Sequence, residues 1–332
     1  RSRRQRQMCI RDSIMAVSPI GRIYIRLPNW IGDVCMSLPS LHAVIATGCE
    51  VIVCAKPWAQ DLLKGFTNIG FIPLTGKWSE DRKRIKQHRQ QYNTDKQSVG
   101  LLLPDSLTSA LTFRLAGLAC AGYKDDGRQL LLKWAFDKPK ESLHAVESWY
   151  RLTYLALSAW GFSPEKQPNQ ALSLPLTIDH YQQAHAVVTE ALANKPFILI
   201  APTATGKHHG REKVWPFFDT LTKKLQSEGF TVAMCPPPNE KEMALQNAPT
   251  AQLLPPVSLG AFVALLEKAS VVICNDSGVS HLASISAKHQ ITLIGVTEAE
   301  RTGPWSSKAI ILGKMNHWPS VEDVNESIKK VV

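Results

Sequence analysis

The stretch that most constrains the fold is Val271-Val272-Ile273-Cys274 followed by Asn275-Asp276-Ser277-Gly278-Val279-Ser280-His281. Four apolar residues, mostly β-branched, read as a buried strand. The chemistry then switches at once to that of a helix start. Asp276 or Ser277 can cap a helix running towards Ala287, and Gly278 in its first turn lets a ligand approach the free backbone N–H groups. Those groups and the helix dipole favour an anion, a diphosphate above all. A helix N-terminus at the carboxyl end of a sheet strand is where α/β proteins bind nucleotides.

The pattern around this stretch supports an α/β chain in two halves. Arg22–Leu27, Glu50–Ala55 and Ser98–Leu103 read as strands, with a short one near Phe71–Leu74, and helical stretches separate them. After Gly161–Asp179, which carries three prolines, the pattern restarts at Phe197–Ala201, Thr231–Cys235, Val271–Cys274 and Gln290–Gly295. A chain of 332 residues suits two domains with a cleft between them. The expected division is an amino-terminal domain at 15–165, a linker at 166–180 and a carboxyl-terminal domain at 181–332. Residues 1–14 hold five arginines and one aspartate and read as a non-native extension ahead of Met15. They supply +4 of the formal +10, so the remaining +6 still favours an anionic partner.

Other classes are disfavoured. No apolar run approaches the roughly 18 residues of a membrane span. The seven cysteines form no CxxC pair, which points to a reducing cytoplasm and away from structural zinc. No metal site, cofactor or nucleic-acid motif is expected. Pro202–Gly210 resembles a phosphate loop but has Ala201 where the first Gly belongs and His208 after Lys207, so it reads as a flexible polar loop facing the cleft. The basic run Lys77–Lys96 reads as a solvated helical face, with an anionic acceptor or a lipid surface as its functional alternative.

Pro28 and Gly32 force a tight path after the first strand, and Asp33 follows as either a helix cap or a general base exposed to the cleft. Pro39 removes a donor, so the helix is expected to start near Ser37, leaving Asp33 on an irregular turn. Lys213 precedes Trp215-Pro216 at a helix start and is either surface charge or a cation offsetting a departing diphosphate. Glu240 and Glu242 follow a strand end, where an acidic residue can bind a ribose hydroxyl.

Together, Leu27-Pro28-Asn29-Trp30-Ile31-Gly32-Asp33 with Leu38-Pro39-Ser40-Leu41, Lys213-Val214-Trp215-Pro216 and Asn275 through His281 resemble the ADP-heptose:lipopolysaccharide heptosyltransferases of glycosyltransferase family 9. Leu103-Pro104-Asp105-Ser106 with Ser109-Ala110 looks closest to the heptosyltransferase II branch. The resemblance implies a GT-B architecture, two Rossmann-like domains facing across a cleft, working in the cytoplasm or peripherally on the inner face of the inner membrane. It implies ADP-heptose in the second half and a lipid-A-linked inner-core acceptor in the first. Asp33 then corresponds to the general base of an inverting transfer, and Lys213 to the lysine near the diphosphate. Glu242, Asp276, Ser277, Gly278 and His281 correspond to donor contacts, and Asn29, Trp30 and Ser106 to acceptor contacts. Pro236-Pro237-Pro238, the 203–210 loop and Val296-Thr297-Glu298 depart from the family pattern. Two rivals remain: a two-lobed anion-binding protein without chemistry, and a nucleotide-sugar enzyme with another donor.

Overall fold

The computed structural model describes residues 19–91, 97–125, 127–205, 207–208 and 210–332. Expectations for residues 1–14, Lys96, Gly206 and His209 therefore lie outside the described residues.

The first lobe is built on β1 (Ile20–Arg26), α1 (Ile31–Met36), α2 (Leu38–Ile45), β2 (Glu50–Ala55), α3 (Ala59–Leu62), β3 (Ile69–Pro73), α4 (Trp78–Gln91), β4 (Gln97–Leu102), α5 (Leu107–Leu115), β5 (Ala119–Tyr123) and β6 (Trp134–Phe136). Helix α6 (Ala145–Ala159) closes it, and α7 (Ile178–Leu192) leads into the second. The second lobe runs β7 (Ile198–Ala201), a small hairpin of β8 (Lys207–His208) and β9 (Arg211–Glu212), α8 (Phe218–Ser227), β10 (Val232–Met234), α9 (Lys241–Asn247), β11 (Gln252–Leu253) and α10 (Leu259–Lys268). It ends with β12 (Val271–Asn275), α11 (Gly278–Ser286), β13 (Gln290–Ile294), α12 (Ala299–Thr302), β14 (Ala309–Gly313) and α13 (Val321–Lys329).

Each lobe carries one six-stranded sheet, ordered β3-β2-β1-β4-β5-β6 in the first and β11-β10-β7-β12-β13-β14 in the second. Every pairing in both is parallel. Counted from its own first strand, each sheet has the same 3-2-1-4-5-6 order, the doubly wound arrangement whose switch point lies beside the first strand. The loops after β1 and β7, and after the adjacent β4 and β12, are thereby set to carry ligand.

Buried on both faces, the strands alternate between two cores. On β1, Ile23 and Ile25 point into an apolar layer shared by both lobes, and Tyr24 packs with Ile52, Ile85 and Phe113 on the outer face. The shared layer also takes Leu199, Val263, Leu266 and Leu282 from the second lobe, so the cleft rests on a continuous core. Across the junction Asp61 of α3 accepts from the Gly260 backbone N–H at 2.8 Å, near the α10 N-terminus. The buried His180 of α7 lies 3.3 Å from the same carboxylate. This pair holds Asp61 below the usual carboxylate range, even though burial pushes the other way.

The first helical region differs from expectation. A helix does start at the expected place, α2 with Ser37 at its cap position and Pro39 in its first turn, but a short helix α1 precedes it where an irregular turn was expected. Lacking an N–H, Pro39 cannot bond the carbonyl four residues back, so one helix becomes two. Asp33 thus stands in the first turn of α1 and not on an irregular turn. The linker expected at 166–180 contains the start of α7, capped by Thr177 and anchored by the His180 side chain.

Candidate active site

The carboxyl ends of the two sheets face each other across a cavity of about 580 Å³. From the first lobe come Trp30, Ile31, Gly32, Asp33 and Met36; from the second come Pro202–Thr205, Lys213, Glu240 and the start of α11. Val257, Leu259, Phe262 and Leu282 form an apolar wall. The lobes touch where α1 crosses α11. A Cβ on Gly32 would sit 2.6 Å from the His281 ring, and one on Gly278 would meet Ile31 at 3.3 Å, so glycine is what lets these loops close up.

Asp33 is half-buried in this wall. Burial raises its carboxyl above the ordinary range, and the Lys213 ammonium from the opposite lobe pulls it part of the way back. A carboxylate on one lobe therefore feels a cation on the other. His281 is buried and its pKa is pushed down to about 4 by desolvation, with His144 and Lys213 adding to the effect, so the ring is neutral at neutral pH. Ser277 occupies the cap position of α11, but its side chain makes no capping bond. Its Oγ and the His281 Nδ1 are shielded from water and have no hydrogen-bond partner among the described residues. Both residues line the cavity next to the α11 N-terminus, so an anion bound there can be held by backbone N–H groups and side chains together.

Asn275 ties these parts together, a role that its place in the motif does not reveal. Fully buried, it accepts from the Trp215 backbone N–H at 2.8 Å and donates to the carbonyls of Ala201 at 3.3 Å and Thr203 at 3.2 Å. One side chain thus fixes the Lys213–Trp215 segment and the Pro202–Thr205 loop against the strand that carries the anion site. Replacing Asn275 with Ala strands a buried N–H and loosens two carbonyls. The expected cost is about 3 kcal/mol, read as a lowered unfolding midpoint in denaturant melts.

Of the expected site residues, Asp33, Lys213, Asp276, Ser277, Gly278, His281 and Trp30 all line the one cavity. Glu242 does not: it is exposed on α9, while Glu240 lines the cavity and accepts from the Thr203 hydroxyl. The 3₁₀ turn at Pro238–Glu240 orients it, and the contact with Thr203 is invisible to local sequence. Asn29 and Ser106 are also outside the cavity lining. The Asn29 Oδ1 accepts from Arg26 at 2.6 Å, and Ser106 caps α5 by accepting from the Ser109 N–H at 3.2 Å. The stretch from Pro202, expected as a polar loop facing the cleft, gives Pro202, Thr203, Ala204 and Thr205 to the cavity lining and buries Thr203 and Ala204. Among the described residues no group of three His, Cys, Asp or Glu side chains could hold a metal ion. No described helix is long and apolar enough to cross a membrane.

The chain is similar to known proteins over most of its length. Lipooligosaccharide heptosyltransferase 2 of Haemophilus influenzae is 27% identical over 311 residues, covering 86% of this chain and 86% of its own. Lipopolysaccharide heptosyltransferase 2 of Escherichia coli is 26% identical over 314 residues, covering 88% and 87%. Among solved structures, E. coli ADP-heptose LPS heptosyltransferase II superposes with a TM-score of 0.74 at 21% identity, over 93% of this chain and 99% of that one. E. coli heptosyltransferase WaaC with ADP gives 0.70 at 19% identity, over 94% and 100%. These likenesses establish the GT-B fold. The model of glycosyltransferase family 9 (heptosyltransferase) matches residues 85–331, and with well over half of its length so matched the chain belongs to that family.

Proposed function

We propose that this protein transfers heptose from ADP-heptose to the lipid-A-linked inner core of lipopolysaccharide, inverting the anomeric centre, with Asp33 as general base. The observation that carries the reading is the opposition of Asp33 on one lobe to Lys213 and the α11 N-terminus on the other. The names of the relatives supply the donor and the acceptor class. In the step envisaged, Asp33 takes the proton of an acceptor hydroxyl as its oxygen bonds to the anomeric carbon. The bond from that carbon to the diphosphate breaks, and ADP leaves with the electron pair. Lys213 and the N–H groups at the start of α11 stabilise the charge that gathers on the diphosphate.

In this reading residues 15–165 hold the acceptor, 181–332 hold the donor, and 166–180 connect them, with α7 belonging to the donor side. Trp30, Asn29 and Ser106 face or support the acceptor side. Asp276, Ser277, Gly278 and His281 surround the diphosphate. For the ribose we favour Glu240 over Glu242, because only Glu240 lines the cavity. Glu240→Ala is then expected to weaken ADP binding about tenfold, the loss of a charged hydrogen bond. Glu242→Ala should leave binding unchanged, and titration calorimetry with ADP distinguishes the two. We place the protein in the cytoplasm, working at the inner face of the inner membrane.

The test is ADP release from ADP-heptose with and without heptose-deficient lipopolysaccharide. Release that requires the acceptor supports the transferase. Release without it makes the protein a nucleotide-sugar hydrolase. No release under either condition points to another donor or to a binding protein without chemistry.

A further inference from the structure

Two helices of the first lobe present an outer face that neither the cavity nor the core uses. Because α4 follows β3 and α5 follows β4, both helices begin at the carboxyl edge of the sheet, beside the loop that carries Trp30 and Asp33. They pack next to each other over Tyr24, Ile52, Ile85 and Phe113. The inner side of α4 is pinned by Ile85 and by the buried Asp81, which accepts from the backbone N–H groups of Thr75 at 2.7 Å and Gly76 at 2.9 Å.

The outer side has a different character. Lys83, Arg84 and Lys86 are exposed, and none has a carboxylate within 4.0 Å among the described residues. Arg84 donates to the Pro73 carbonyl at 2.8 Å, which holds its charge near the sheet edge. Beside these cations, on α5, Leu107 is 47% and Leu115 is 45% exposed, with the exposed Arg114 next to Leu115 in the chain. Trp78 is 46% exposed at the start of α4, but three residues before Asp81 and seven before Ile85 it lies on the inner stripe and not among the outer cations. Exposed leucines beside cations that have no carboxylate partner among the described residues give this face an apolar component next to its charge. Cations interleaved with apolar side chains suit the boundary between anionic head groups and acyl chains.

We propose that the outer face of α4 and α5, with Lys83, Arg84 and Lys86 on one helix and Leu107 and Leu115 on the other, docks on an anionic lipid bilayer and holds the cavity mouth towards an acceptor embedded there. Docking itself is independent of the chemistry; its purpose rests on the lipid-linked acceptor proposed above. Each exposed lysine near such a surface contributes about 1 kcal/mol, so reversing two of them weakens binding by at least roughly tenfold.

The experiment is co-sedimentation of the full chain with vesicles of phosphatidylglycerol and phosphatidylethanolamine, and with vesicles of phosphatidylcholine alone. The wild type is expected to bind only the anionic set, more weakly as salt rises. Lys83→Glu with Lys86→Glu, and separately Leu107→Ser with Leu115→Ser, should lose about tenfold in binding with unfolding midpoints close to the wild type, whereas Lys83→Arg with Lys86→Arg should bind normally. Transfer to a deacylated, soluble acceptor should stay at the wild-type rate in these variants, and transfer to vesicle-embedded acceptor should fall with binding. Equal binding to both vesicle types overturns the proposal, as does undiminished binding by the Glu variants. Equal loss on soluble and embedded acceptor also overturns it, and so does tighter binding to single-stranded RNA than to anionic vesicles. If anionic vesicles bind as expected and no heptose is transferred, the surface stands and the proposed reaction fails.

Discussion

Asp33→Asn is expected to lower kcat for heptose transfer about a thousandfold, the middle of the range for losing a positioned general base. Affinity for ADP should stay near the wild-type value, because the residues proposed to hold the donor lie on the other lobe. The substitution is also a clean one structurally. Burial works against the charged form of Asp33, so a neutral amide of the same size relieves a penalty and leaves the fold intact. Loss of activity then reports on chemistry and not on unfolding, provided that the thermal midpoint is not lowered. The wild-type pH profile carries the complementary signature. The base must be ionised to accept a proton, so kcat/KM rises with pH through its pKa, and burial moves that limb above the ordinary aspartate range. The Asp33→Asn enzyme should lack the limb altogether. If it turned over at the wild-type rate, Asp33 would not be the base.

The sequence is most legible where the chain obeys two rules at once. Val271–Asn275 is apolar throughout its first four residues because both faces of a parallel strand are covered, and the abrupt change at Asp276 marks the helix start that lines the cavity. Edge elements are harder to see. Strand β6 is only three residues long and its neighbour β5 reads Ala-Cys-Ala-Gly-Tyr, so neither shows the branched run of a central strand, while the edge strand β14 carries Ile310-Ile311-Leu312 but is part-exposed. Helix α7 hides its first turn inside a proline-rich stretch because its capping partner is His180, whose ring Nδ1 takes the Thr177 N–H where a Glu or Gln is usual. The split between α1 and α2 depends on how the chain resolves Pro39, which spacing alone leaves open.

Site residues divide along the same line. Asp33, Lys213, Asp276, Ser277, Gly278 and His281, each carried by a local motif, converge on the cavity, whereas Asn29 and Ser106, also within such motifs, do not line it. Those whose place depends on distant contacts do not follow from spacing. Glu240 and Glu242 are two residues apart and look equivalent, yet Thr203, from another strand's loop, accounts for the inward position of the first. Asn275 reads as part of a ligand motif, but its amide is spent on Trp215, Ala201 and Thr203. It belongs to the framework that positions Lys213.

Lys213→Met should reduce kcat by roughly a hundredfold to a thousandfold, the usual cost of losing a group that meets charge developing in the transition state. A second effect separates this role from ordinary surface charge. The Lys213 ammonium lowers the Asp33 pKa across the cavity, so removing it lets burial act unopposed and the pKa rises. With the base protonated over a wider range, the acid limb of kcat/KM must move to higher pH. A lysine serving only the surface would move neither quantity. Lys213→Arg keeps the charge and should return the limb close to its wild-type position, while recovering kcat only in part, because a planar guanidinium does not place its donors where an ammonium does. The pair of profiles is therefore diagnostic. A Met variant with reduced kcat and an unmoved limb would mean that Lys213 meets the diphosphate but is not electrostatically linked to Asp33. A shifted limb with unchanged kcat would mean the reverse. Only both together support a cation shared between the base on one lobe and the leaving group on the other, which is what a single cavity bounded by Asp33, Lys213 and the α11 N-terminus requires.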